Sequence, residues 1–476
     1  MNQSSAAQAE NLAPAEEQLL AAILAGRRAD LQGETIRASF LRDLVTEVHP
    51  TWVLPPIGIM LDNAMIQGTL DLEGCTVARP LVFQHCKFRP IEPARGAIQL
   101  RDAQLKRLAL YKCSATGSIF ADRAKFDSAL FLSGSSIEGA IRLRGATIGE
   151  ALAMDHMQIK NVGEVAVLAD GLRLSGPWIL READIVGEVR LAGARIGGNL
   201  LWEDAKIQNN LIAVTADGAI CEGAWLLRRA RISGPLRLRG MKIKAIDAQQ
   251  ITITAGSEAF NARGAEIASD LNFDGAVLKG GVLLGRANVA GELSAKGAQI
   301  SGAGQDWAIA ANGLIVGQGI ALAAAKLYGG LMLSGARINQ GISASNIEID
   351  GKGRAIEADV IHIGGNWIMR GAKIVGSVRF AGAQIEGQIG FTEIDIQSIG
   401  DLAIRADGAM IRGGWFMGRA SIRGLVRLPS AHLGNEMRLR ATKIEVGAGP
   451  ALFASGVTIA RELVLDGGFC SSGGIV

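Results

Sequence analysis

Five arginines, Arg142, Arg190, Arg237, Arg379 and Arg427, return in one recurring slot that is broken at Leu283 and Met332. Guanidinium groups at regular intervals could meet phosphates or an acidic partner. The column is therefore a candidate anion-binding ladder, against the alternative of a solvated face that uses Arg for solubility. Acids recur too: Asp170, Asp217, Asp359 and Asp407 fall in phase, each after an Ala and mostly before a Gly. Asp is favoured there for turn geometry, so no general acid or base is assigned. His49, His85, His156, His362 and His432 lie too far apart in the repeat to cluster and read as surface or corner residues. Cys75, Cys86, Cys113, Cys221 and Cys470 show neither a CxxC nor a zinc spacing. Cys86 fills the slot held by Ala183 and Ala230, and Cys221 that of Leu174, which reads as small buried hydrophobes in a reducing cytosol. There is no GxSxG, HExxH, Walker or Rossmann signature. No catalytic residue, cofactor site or metal ligand is assigned, and the chain is not expected to be an enzyme.

The elements that position these residues are short strands. From Ala166 to Asn210 the apolar residues come in pairs two apart: Leu172/Leu174, Trp178/Leu180, Ala183/Ile185, Val189/Leu191, Ala194/Ile196, Leu200/Trp202 and Ala205/Ile207. Side chains alternate across a strand, so each pair marks one with its first and third residues inward and the middle one outward. A helix would need spacings of three and four. Glycine between many pairs marks corners. Over this runs a longer period: Ala169-Asp170-Gly171 returns as Ala216-Asp217-Gly218, Ala311-Asn312-Gly313 and Ala406-Asp407-Gly408, about 48 residues apart, as in repeat arrays. One unit cannot bury its inner face alone, whereas stacked coils can.

Composition agrees. The 476 residues include 62 Gly, and 49 Lys+Arg against 46 Asp+Glu leave a net charge of +3, neither an obvious polyanion binder nor a polyanion mimic. Residues 1–57 read as a disordered tail, Met1 to Ala13, and a helical cap. In the cap, Pro14 and Glu16-Glu17 open one helix, and Ile36, Phe40, Leu41, Leu44 and Val45 mark a second. Residues 58–476 read as the solenoid, a rod on the order of 80 Å long at ordinary strand spacing. Pro90-Ile91-Glu92-Pro93 interrupts an early copy. No secretory signal and no membrane-spanning apolar run is present. The expected location is the cytoplasm, with attachment to the inner membrane surface left open.

The inner pairs Ala183/Ile185, Ala194/Ile196, Ala230/Ile232, Ala336/Ile338, Ala372/Ile374 and Ala383/Ile385 place a small residue two before a large one. In this the chain resembles the pentapeptide-repeat proteins and glycine-rich bacterial sequences of the GxLxLxGAxIxG type, often labelled membrane-associated oxidoreductases, a label for which no residues are found. The resemblance implies an all-β, right-handed parallel β-helix with four-sided coils, and two coils to each long period would hold about 22 to 25 residues apiece.

One more column bears on function. In the strand before the arginine slot, the outward residue is Val82, Phe131, Ile179, Leu226, Ile368 or Phe416, broken at Asn272 and Ala321. Soluble monomers rarely keep an exposed apolar stripe, so either the loops of the long units cover it or it is an interface. Three function classes follow. The first is a non-catalytic scaffold that binds a protein partner or itself along the stripe. The second is a peripheral membrane protein. The third is a DNA mimic acting on topoisomerases, as some pentapeptide-repeat proteins are; the charge balance disfavours it and makes a nucleic-acid partner unexpected.

Overall fold

The strands wind as coils in a computed structural model that describes residues 12–302 and 306–476. One coil shows the plan: Lys125–Phe126, Leu130–Phe131, Ser136–Glu138 and Ile141–Arg142, one strand per side with a turn at each corner. All pairing is parallel and in register with the next coil, Phe126↔Ile148, Leu130↔Leu152, Ile137↔Ile159 and Ile141↔Val167. We call these four strand positions the first to fourth columns. The expected all-parallel β-helix is thus the fold. The inner residue of each strand is buried and the next one faces out: Ile141 and Leu143 are fully enclosed around half-buried Arg142.

The long period has a physical cause. From the coil of Gln158 onward, alternate coils carry extra residues between the third and fourth columns, as at Asn161 to Glu164 within the strand Gln158–Leu168. The following coil is short there and places a glycine beneath that loop. Gly187 has φ +130°, and a Cβ on it would lie 2.7 Å from the Ala166 Cβ and 2.8 Å from the Asn161 carbonyl oxygen. Gly280, Gly329 and Gly376 repeat the arrangement at φ +133°, +138° and +120°. A loop coil and a glycine-seat coil together make the repeat. Cross-coil hydrogen bonds span one of each, 22 residues from Ser128 to Glu150 and 26 from Arg419 to Glu393, and other loop coils differ by a residue or two, as from Lys242 to Glu266 and from Asn288 to Ile315.

The first coil is covered by α1 (Pro14–Leu24) and α2 (Ala38–Val45). Pro14 opens α1, and Glu16 Oε2 accepts from Ala13 N at 3.0 Å. Glu16 is buried, and its carboxylate takes Arg37 Nη2 at 2.8 Å and Arg37 N at 3.0 Å. These bonds outweigh desolvation and hold its pKa below the ordinary 4.5. The coils start earlier than the sequence suggests. Ala29–Asp30 and Thr35–Arg37, inside the segment read as cap, pair with residues 61–62 and 65–67. The reading of Met1 to Ala13 as disordered falls largely outside the described residues.

By compactness the chain divides into two units, one ending at Leu191 and including Arg195–Gly198, the other made of Ala192–Ala194 and Asn199–Val476. Each is a stack of such coils around an apolar core. In the second unit, buried Trp367, Phe380, Phe391 and Trp415 meet edge-on or tilted, with ring centroids 5.5 to 6.5 Å apart, a geometry that aromatic pairs favour.

Candidate functional site

The arginine and aspartate columns prove to be one device. Ala-Asp-Gly forms the turn after the fourth column, with Gly171 at φ +66°, and register sets the Arg of the next coil beside that Asp. In the first unit Arg142 Nε lies 3.1 Å from Asp122 Oδ2, and Arg190 Nη2 lies 2.7 Å from Asp170 Oδ2. In the second, Arg237 reaches Asp217 at 2.8 Å, Arg379 reaches Asp359 at 3.8 Å and Arg427 reaches Asp407 at 3.0 Å. The carboxylates also tie the backbone between coils: Asp217 Oδ1 accepts from Arg239 N at 3.0 Å, and Asp359 Oδ1 from Ala381 N at 2.8 Å. Every arginine of the predicted ladder thus carries a local counter-charge, which weakens the field it could offer an anion. Arg405, on an intervening coil outside the long period, stands between Arg379 and Arg427 and shares Asp407 at 3.0 Å.

The apolar column lies on the second face, and the long loops leave between the third and fourth columns. It is half-buried rather than open: Val82, Phe131, Ile179, Leu226, Ile368 and Phe416 are all of intermediate exposure. The reason is that intervening coils hold smaller residues. In the first unit the register runs Val82↔Ala109↔Phe131↔Ala153↔Ile179, and Ala109 and Ala153 are buried beneath their neighbours. Phe131 also stacks near Tyr111 at 5.9 Å, with the Arg107 guanidinium 5.7 Å from its ring. In the second unit Leu201 and Leu226 lie side by side, after which the column turns polar or small through Asp247, Asn272, Ser294, Ala321 and Ser343, then resumes at Ile368. Ile368 leans over Gly390, where a Cβ would stand 2.8 Å from its Cδ1. Beside it a hollow of about 590 Å³ is lined by Gly319, Ala321, Gly341, Ser343, Asn366 and Ile368.

Two further features stand apart from these columns. The most exposed apolar side chains sit at loop tips: Ile91 at 76%, Val162 at 68% and Leu211 at 79%. Their signal was the extra length of the units that hold them. In the first unit a groove of about 570 Å³ runs between α2 and the interrupting segment, with Arg42, Arg95 and Arg101 facing Asp71, Glu73 and Glu92. The ion pairs there are long, 3.8 Å for both Arg101–Glu73 and Arg95–Glu92.

Among the described residues no group of three His, Cys, Asp or Glu could hold a metal ion. His85 contacts Asp62 at 3.0 Å and His156 contacts Glu182 at 3.5 Å, both at corners with positive φ. Cys86, Cys113 and Cys221 are buried as expected, whereas Cys75 is half-buried and Cys470 exposed. No described helix is long and apolar enough to cross a membrane.

No family model matches the chain, and no curated protein does. Among solved structures, HetL of the cyanobacterium Nostoc sp. strain PCC 7120, described as a pentapeptide repeat protein involved in heterocyst differentiation regulation, matches at 14% identity. The match covers 72% of this chain and 86% of that one, with a TM-score of 0.12. At that score it carries no argument about geometry. The chain's own coils, with small and large inner residues two apart and all strands parallel, make it a pentapeptide-repeat-like β-helix protein.

Proposed function

We propose that the chain is a non-catalytic scaffold that binds a protein partner, or a second copy of itself, through its second face. The observation that carries this reading is the relief of that face in the second unit, where Ile368 stands beside the 590 Å³ hollow floored by Ala321 and Ser343. A raised apolar residue next to a hollow suits a partner's side chains better than a fluid lipid surface. It also lets two copies of the face engage each other reciprocally, as a twofold interface requires. The paired Asp–Arg columns speak the same way, since guanidinium groups that already have carboxylates offer little to anionic headgroups.

The test is oligomer mass by light scattering, with liposome co-sedimentation alongside. Ile368→Glu should weaken association, and so should Ala321→Trp, which fills the hollow. The double change Ile179→Glu with Leu226→Glu asks the same of the other apolar positions. Thermal unfolding should show each variant folded. A wild type that stays a monodisperse monomer and captures no partner along this face refutes the scaffold reading. Liposome binding lost on these changes would favour the membrane instead.

A further inference from the structure

Cys86 and Cys113 enter the core at the same corner of successive coils. Ser114 N donates to the Cys86 carbonyl at 2.9 Å, and the strands that follow the two cysteines pair Ser114 with Lys87. Both side chains are buried, at 0% and 3% exposure. Paired strands stand about 4.8 Å apart, within the roughly 4.4 to 6.8 Å between Cα atoms that a disulfide spans. Each thiol donates to backbone carbonyls, Cys86 Sγ to Gln84 at 3.3 Å and Leu61 at 3.6 Å, and Cys113 Sγ to Tyr111 at 3.4 Å and Phe83 at 3.5 Å. The neighbouring Cys113 thiol holds the Cys86 thiol below its ordinary range against the opposing effect of burial, and Cys86 together with burial pushes the Cys113 thiol up. The sulfur column stops there: the next coil presents Ser135, whose hydroxyl accepts from Cys113 N and donates to the Leu110 carbonyl, each at 3.0 Å.

We propose that Cys86 and Cys113 are a modification site, a reversible crosslink between the first coils, held as thiols under reducing conditions and joined as a disulfide by a peroxide. The Cys86 thiolate attacks one peroxide oxygen, the O–O bond breaks, and hydroxide leaves to take a proton as water. The resulting sulfenic acid is attacked by the Cys113 sulfur. The S–S bond forms, the S–O bond breaks, and the leaving hydroxide takes up the Cys113 proton as a second water. Two thiols lose one electron each, and the peroxide takes both. Because the sulfurs are enclosed, the reaction follows opening of these coils and is slower than oxidation of exposed Cys470.

The experiment treats the full chain carrying Cys75→Ser and Cys470→Ser with hydrogen peroxide. The expected product has lost two hydrogen atoms, and a non-reducing digest joins the Cys86 and Cys113 peptides. Its thermal midpoint rises and returns on adding dithiothreitol. Cys86→Ala and Cys113→Ala should each fold, since buried Ala183, Ala205 and Ala230 fill this slot elsewhere, and neither should give the joined peptide. The proposal is overturned if peroxide oxidises Cys470 in the unaltered chain yet no Cys86–Cys113 peptide forms, even near the unfolding midpoint. It is equally overturned if the joined protein unfolds at a lower temperature than the reduced one.

Discussion

Replacing Gly187 by Ala tests the account of the repeat most directly. Gly187 has φ +130°, and an added Cβ would lie 2.7 Å from the Ala166 Cβ, 2.8 Å from the Asn161 carbonyl oxygen and 2.9 Å from that of Glu164. Carbon atoms in contact ordinarily sit about 3.5 to 4.0 Å apart, so the loop above must lift by about 1 Å. Backbone strain costs about 1–3 kcal/mol and overpacking another 1–3 or so, giving a loss of roughly 2 to 6 kcal/mol. The control is Gly171→Ala, at φ +66° with nothing within 4 Å of the new Cβ. There the left-handed backbone costs about 1–2 kcal/mol, partly offset by about 0.4–1 kcal/mol through the stiffer unfolded chain. The assay is thermal unfolding paired with hydrogen exchange read on residues 161–166, because coils open locally before the array does. Faster exchange in that loop for Gly187→Ala alone is the expected result. Equal losses for the two substitutions, or an undisturbed loop in Gly187→Ala, would show that the seat does not support the loop.

Arg37→Ala should destabilise the cap by about 2–4 kcal/mol, below the cost of breaking a fully buried pair because the Arg37 side chain is 45% exposed. Glu16 has a lowered pKa in the fold, so its contribution is complete above the ordinary 4.5 and is lost as pH falls through the lowered value; acid unfolding of Arg37→Ala should lose that limb, and an unchanged acid profile would count against the assignment. Val360 holds φ +52° in an exposed turn, so Val360→Asn should stabilise by about 1 kcal/mol, read as a raised thermal midpoint. A double-mutant cycle on Asp217 and Arg237, whose side chains are each 30% exposed, should give a coupling of about 0.2–1 kcal/mol that shrinks with salt.

The inner and outer assignment could be read from residues such as Ile141, Arg142 and Leu143, because strand alternation leaves little freedom. The glycine turn after Asp170 was equally legible. The Asp–Arg pairing was not, although both columns were seen, because they stand about twenty residues apart and meet only through the rise of one coil. Arg405 and the small residues Ala109, Ala153 and Gly390 escaped for a related reason: aligning copies at the long period samples every second coil, and the intervening coils decide how exposed the apolar face is. The relief around Ile368 depends on side chains from four coils, which no single stretch of sequence displays.

The alternation of loop and seat also sets the step by which such a chain can lengthen or shorten. Removing a seat coil from the regular part would bring a loop above another loop, with no glycine to receive it, whereas removing a loop coil would leave two seats meeting with no loop between them. Removing or copying two coils leaves every loop above its own glycine. Recombination between copies should therefore leave descendants that differ by whole pairs, so an array that outwardly looks continuous is inherited in steps twice the size of its visible turn.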